Sequence, residues 1–416
     1  MNVLIKQARI IDPGQPNHQK VADLLISDGR IEKIASRITN PGKYQEVKLK
    51  NLHVSAGWFD SSVSFGEPGF EERETIENGL RVAAGSGFTD IALQPSTSPV
   101  ADNQAQIRFA KSKEGATSIH PIGALTKNSE GKDLAELYDM QQSGAVGFGD
   151  YHKYIANANL MKIALQYVQD FDGLVIGYSM EPSLQGSGLA HEGAAALRLG
   201  LRGIPALAEE LAIARNLFLL EYAGGRLHIP TVSTARSVQL IREAKNKGLQ
   251  VTCSVSVHHL LLTDEILENF DTRYKVLPPL RDEATRKSLV KAVKDGIIDC
   301  ITTDHSPMDV ERKKMEFDRA DYGTIGLESA FGALATLLPM DVIIARLTAA
   351  RKIFKLDPVV VTENSPACLT LFNPDGDWTF EEKHIVSTSK NSAFTGQRMK
   401  GQVYGICNNN QLILNS

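Results

Sequence analysis

The chain has 416 residues, 45 basic against 49 acidic side chains, a formal net charge of −4 and 42% hydrophobic residues. That length buries a large core, and the charge balance leaves no basic surplus for nucleic acid or an anionic membrane. No apolar run approaches the roughly 20 residues that cross a bilayer, and Met1-Asn2-Val3-Leu4-Ile5-Lys6 meets a charge too early for a secretory leader.

Val3 to Ile11 is an apolar, β-branched run closed by Asp12-Pro13-Gly14. Two further runs, Ala22–Ile26 and Ile31–Ile34, flank Ser27-Asp28-Gly29-Arg30, a hairpin signal. Eight strand candidates follow, near Val54–Val63, Phe88–Leu93, Ile119–Leu125, Ala145–Phe148, Leu174–Tyr178, Leu227–Val232, Val251–Val255 and Ile297–Thr302, with amphipathic stretches such as Ser237–Lys247 and Arg286–Lys294 between them. Eight such alternations predict a (β/α)8 barrel. A doubly wound sheet is the alternative, weakened because no GxGxxG follows any strand. At the far end, Gly401–Ile406 and Gln411–Leu414 flank Asn408-Asn409-Asn410, a second hairpin signal. The predicted organisation is a β-sandwich domain from residues 1–54 plus 360–416 and a barrel over 55–359.

In such a barrel the chemistry gathers at the C-terminal ends of the strands. The 10 histidines keep metal or acid–base chemistry open. Cys253, Cys300, Cys368 and Cys407 are too dispersed for a thiolate zinc site or a disulfide framework, which points to the cytoplasm. Cys253 and Cys300 read as buried small hydrophobes. Gly186-Ser187-Gly188 and Gly224-Gly225 lack the Lys-Ser/Thr of a phosphate loop and read as turns. Asp309–Lys314 reads as a solvated, charge-rich stretch.

The order Gly57-Trp58-Phe59-Asp60, Glu67-Pro68-Gly69-Phe70-Glu71, Gly203-Ile204-Pro205 with Ala208-Glu209, His228-Ile229 with Val232-Ser233-Thr234, His258-His259-Leu260, Pro278-Pro279-Leu280-Arg281, Thr303-Asp304-His305 and Gly326-Leu327-Glu328 resembles the dihydroorotases of the amidohydrolase superfamily over essentially the whole chain. The resemblance implies a (β/α)8 barrel with a small β-sandwich. It implies hydrolysis of a cyclic amide C–N bond, dihydroorotate against carbamoyl-aspartate, by zinc-activated water.

The same resemblance shows what is missing. The family's HxH falls on Ser62 and Ser64, its fifth-strand histidine on Ser179 and its sixth-strand histidine on Thr231. The substrate arginine falls on Gly66, two asparagines on Ser96 and Leu277, and the second histidine of the DHxPH pattern on Met308. Only the carboxylates persist, Asp150 and Asp304. Carboxylates with hydroxyls are poor zinc ligands, so no metal and no substrate-binding set is expected, and Asp304 is read as a non-functional remnant. The expectation is an inactive homologue serving as scaffold or regulatory partner, with aspartate carbamoyltransferase the partner implied and a homodimer the expected assembly.

Two other readings stand beside it. One is an enzyme working with Asp150, His152, Lys153, Asp304 and His305. The other is a binder of an apolar or neutral ligand beside Leu277 and Met308. The bland readings are that Asp150 and Asp304 cap loops, that His228 is structural, and that Asp60 packs the barrel. His258 and His259 are taken as strand neighbours, facing opposite sides and unable to share an ion.

Overall fold

The computed structural model describes residues 1–415. All eight strand candidates of the middle region form strands. They are Trp58–Val63, Phe88–Leu93, Ser118–Gly123, Gly147–Phe148, Val175–Ile176, Leu227–Ile229, Val251–Ser256 and Cys300–Thr302. They pair in chain order, all parallel. The ring closes where Val63 bridges His305 and the Ser64 amide donates to the His305 carbonyl at 2.8 Å. Helices pack outside, as parallel crossovers require.

A second sheet draws on both ends of the chain. Val3–Ile11 pairs with Val21–Ser27 and His53–Ala56; the latter pairs with Leu369–Thr379, which continues to Arg398–Asn408 and Gln411–Leu414. Its core holds Ile5, Ile10, Leu24, Val54, Leu369 and Leu371. Both hairpin signals form tight turns with left-handed φ, at Asp28 (49°) and Gly29 (74°) and at Asn409 (49°) and Asn410 (57°).

Two boundaries differ from the sequence reading. Val54–Val63 is not one strand: His53–Ala56 belongs to the terminal sheet and Trp58–Val63 to the barrel. The break is Gly57, where a Cβ would sit 2.2 Å from Thr89 Oγ1 and 2.7 Å from Cys368 Sγ, so only glycine passes between the two units. Within the C-terminal span, Phe380 and Phe394 are buried in the barrel's core cluster rather than the sheet's. Between them Thr388 donates to Glu74, and the Asn391 amide donates to the Ser306 and Gly323 carbonyls, strapping this segment over the barrel rim.

His258 and His259 also differ. They lie on a helical turn, Val257–Leu261, capped by Ser256, because the seventh strand ends there. No helix among the described residues is long and apolar enough to cross a membrane.

Candidate functional site

The rim of the barrel converges on Asp304, two residues past the eighth strand and 4% exposed. Its Oδ1 accepts from Ser62 Oγ at 2.9 Å and from the Tyr151 hydroxyl at 3.4 Å; its Oδ2 lies 3.6 Å from His152 Nε2. Gln94 Nε2 donates in turn to Ser62 Oγ at 3.1 Å. Burial alone would push the Asp304 carboxyl up. The His152 imidazole outweighs it, helped by His258 and the Ser62 hydroxyl, and holds the carboxyl below its ordinary range.

Tyr151, Thr231 and Asp304 all adopt left-handed φ, at 53°, 48° and 48°. Each follows a barrel strand and faces this same point. Such conformations cost about 1–3 kcal/mol apiece and persist only where the surroundings enforce them.

The mouth above Asp304 is filled. The Tyr151 and His152 rings stack with centroids 3.8 Å apart, and the Tyr178 ring lies 5.3 Å from His152. Tyr178, Met180 and Leu277 share one buried apolar cluster. A cavity of about 10 Å³ is left between Ser62, Gln94, His152, Tyr178, Thr231 and Asp304, about the room one water needs. That space gives no support to an apolar or neutral ligand seated here.

The other positions singled out in the sequence point elsewhere. Asp150 Oδ1 accepts from the Leu125 amide (2.8 Å) and the Thr126 amide (3.0 Å), and Oδ2 takes the Thr126 hydroxyl, so the carboxylate caps that loop. Ser64 pairs with Ser96 (Oγ to Oγ, 2.9 Å), and Ser179 donates to the Gly177 carbonyl at 3.0 Å. Lys153 is exposed. His305 turns its Nδ1 away from Asp304 to accept from the Gly326 amide at 3.2 Å. Met308 is half-buried, its amide held by Asn391. Asp60, fully buried, accepts from the Ser62 and Thr303 amides; burial pushes its carboxyl up to about 6. His228 is held by Thr252 and Ser254, a structural role.

Of the residues named for an unusual active site, the fold therefore brings together His152 and Asp304 and separates Asp150, Lys153 and His305 from them. Tyr151, Tyr178 and His258 escaped the sequence reading as site residues. Tyr151 and His152 carried a signal, since they lie within four residues of the end of the fourth strand. His258 carried none, because its position depends on the strand turning into a helix.

His258 is 1% exposed, and burial drives its imidazole down to about 4. The unfolded chain binds that proton below its ordinary value of 6.5. The neutral side chain therefore stabilises fully above pH 6.5, and the contribution is lost as pH falls towards 4. Urea unfolding at pH 7 and pH 4.5 should show the parent losing roughly 2 kcal/mol more than His258→Leu over that interval. Equal losses would refute a buried neutral imidazole.

The donor chemistry does not suit a zinc ion. Asp304 stands among hydroxyls, poor zinc ligands even at Thr231 and Tyr178, whose buried oxygens have no hydrogen-bond partner among the described residues; Asp150 is turned to its loop, and no group of three or more His, Cys, Asp or Glu side chains among the described residues is placed to share an ion.

The fold matches that of solved hydantoinases. L-hydantoinase (dihydropyrimidinase) from Arthrobacter aurescens superposes with a TM-score of 0.87 at 21% identity, covering 100% of this chain and 96% of that one. D-hydantoinase (dihydropyrimidinase) from Thermus sp. gives 0.83 at 20% identity, covering 99% and 97%. The family model for dihydro-orotase-like proteins matches residues 53–237. A protein named dihydroorotase from Pelotomaculum thermopropionicum is 39% identical over 410 residues, 96% of both chains. Another so named, from Syntrophus aciditrophicus, is 37% identical over 413 residues, 97% of both. The chain belongs to the dihydroorotase family.

Proposed function

We propose that this chain keeps the dihydroorotase fold without the zinc-dependent chemistry and serves as a structural or regulatory partner in pyrimidine biosynthesis, assembling as a homodimer and with aspartate carbamoyltransferase. The observation that carries this reading is the filled mouth. Hydroxyl residues stand at all four histidine positions, and stacked rings leave about 10 Å³. A partner also needs a surface to hold. Leu207, Leu211, Phe218 and Tyr222 lie along one face of helix Leu207–Ala223 and are 52%, 49%, 70% and 77% exposed, an apolar stripe of the kind that marks contact sites.

The names of the relatives favour a second reading, an active dihydroorotase or related cyclic-amide hydrolase. The His152–Asp304 pair supplies it with an acid–base couple at the strand ends. In that case Asp304, held ionised, would take the proton and His152 would position it.

Elemental analysis and carbamoyl-aspartate cyclisation on one preparation separate the two. We expect far less than one zinc per chain, no turnover, and co-elution with aspartate carbamoyltransferase. Stoichiometric zinc with turnover overturns the first reading; turnover without zinc that His152→Ala abolishes establishes the second.

A further inference from the structure

A large cavity sits at the opposite end of the barrel from Asp304. Its walls come from the N-terminal ends of the fifth to eighth strands and from helices Met340–Thr348 and Ala350–Ile353, which lie beneath them. At about 740 Å³ it falls within the range of small-molecule sites, against about 10 Å³ at the upper mouth. The N-terminal face of such barrels ordinarily serves stability, so a cleft of this size there needs an occupant or a reason.

Its charge is one-sided. Four cations line it, Arg226, Arg346, Lys352 and Lys355, against one carboxylate, Asp299. Asp299 is already taken by Lys245 at 2.6 Å, and Lys355 by Asp172. Arg346 and Lys352 have no carboxylate within 4.0 Å among the described residues. Arg346 instead donates to the Val293 carbonyl at 3.1 Å and the Asp299 carbonyl at 3.5 Å, which fixes the guanidinium without neutralising it. Arg226 is held the same way, by the Asp172 carbonyl at 3.1 Å and the Ile353 carbonyl at 2.5 Å, with the Asp172 carboxylate only at 3.9 Å. Backbone-anchored guanidiniums keep their remaining donors oriented and charged, which suits them to phosphate oxygens.

Much of the remaining lining is apolar. Leu249, Ile353 and Leu356 line it, with Gln250 exposed beside them. A cationic edge beside an apolar wall matches a molecule carrying a phosphate at one end and a flat, weakly polar body at the other.

We propose that this cleft binds a phosphorylated organic anion of nucleotide size, at a site separate from the barrel's upper mouth. The inference does not rest on whether the upper mouth is catalytic.

Isothermal titration of the full chain with ADP, adenosine and inorganic phosphate tests it. ADP should bind saturably, tighter than about 1 mM, with adenosine and phosphate each weaker, and affinity should fall with added salt. Lys352 is exposed, so substituting it leaves the core intact. Lys352→Glu should weaken ADP about tenfold with an unchanged melting temperature, and Lys352→Arg should retain binding. No saturable ADP binding, adenosine binding as tightly as ADP, or an affinity that Lys352→Glu leaves unmoved would each overturn the proposal.

Discussion

Glu209→Ala should lower the free energy of unfolding by about 3–5 kcal/mol, measured by urea titration, because it strands a buried charge. Glu209 and Arg281 are each 2% exposed at the side chain, 3.6 Å apart. Glu209 also accepts from the Ser233 amide (2.9 Å), the Thr234 amide (3.1 Å) and the Ser233 hydroxyl. Arg281 Nε donates to Ser233 Oγ at 3.0 Å, and its Nη1 reaches His191 Nδ1 at 3.1 Å and the Ile204 carbonyl at 3.4 Å. Alanine at 209 removes the counter-charge and leaves two buried amides without their acceptor. The double change Glu209→Leu with Arg281→Met should recover much of the loss, since apolar pairs of similar volume replace buried ion pairs well. A single-variant cost below about 1 kcal/mol would show that Arg281 finds water or another acceptor.

Gly66→Ala should cost more than about 3 kcal/mol, beyond the usual 1–3 kcal/mol for overpacking. Gly66→Arg, which restores the residue the family resemblance puts there, should fail to fold. A Cβ on Gly66 would lie 1.7 Å from the Phe70 carbonyl oxygen and 3.2 Å from that of Glu74. Both neighbours are backbone, fixed because the Gly66 amide donates to Glu74 O and Phe70 N donates to Gly66 O, each at 2.9 Å. Neither can swing aside as a side chain would. If Gly66→Ala melts within about 2 °C of the parent, the turn is free to open and the backbone is not fixed there. The expected result means that the substrate arginine cannot return by one substitution, even if histidines were put back at 62, 64, 179 and 231.

These two sites also show what the sequence made legible. Ala208-Glu209 and Pro278-Pro279-Leu280-Arg281 are among the motifs that carry the family resemblance, and they form a single buried network. Strand placement was legible for the same reason: alternation of apolar runs and turns is local information. His258 was not, because whether Ser256 ends a strand or caps a helix is decided by the packing of the turn that follows. His152 was visible as a residue after a strand. Its closeness to Asp304 was not, since that depends on two left-handed backbones, at Tyr151 and at Asp304 itself. The cations of the lower cleft come from strand starts and two late helices, so no spacing in the chain groups them.

The terminal sheet has a consequence for how the chain is made. His53–Ala56 is complete early, but its partner Leu369–Thr379 arrives only after about three hundred further residues. At ~5–20 residues per second, the ribosome leaves one edge of that strand open for roughly 15–60 s. An unpaired edge is a template for wrong pairing. Yield during synthesis should therefore depend on how quickly the last hundred residues emerge, and rare codons in that stretch are the place where aggregation would begin.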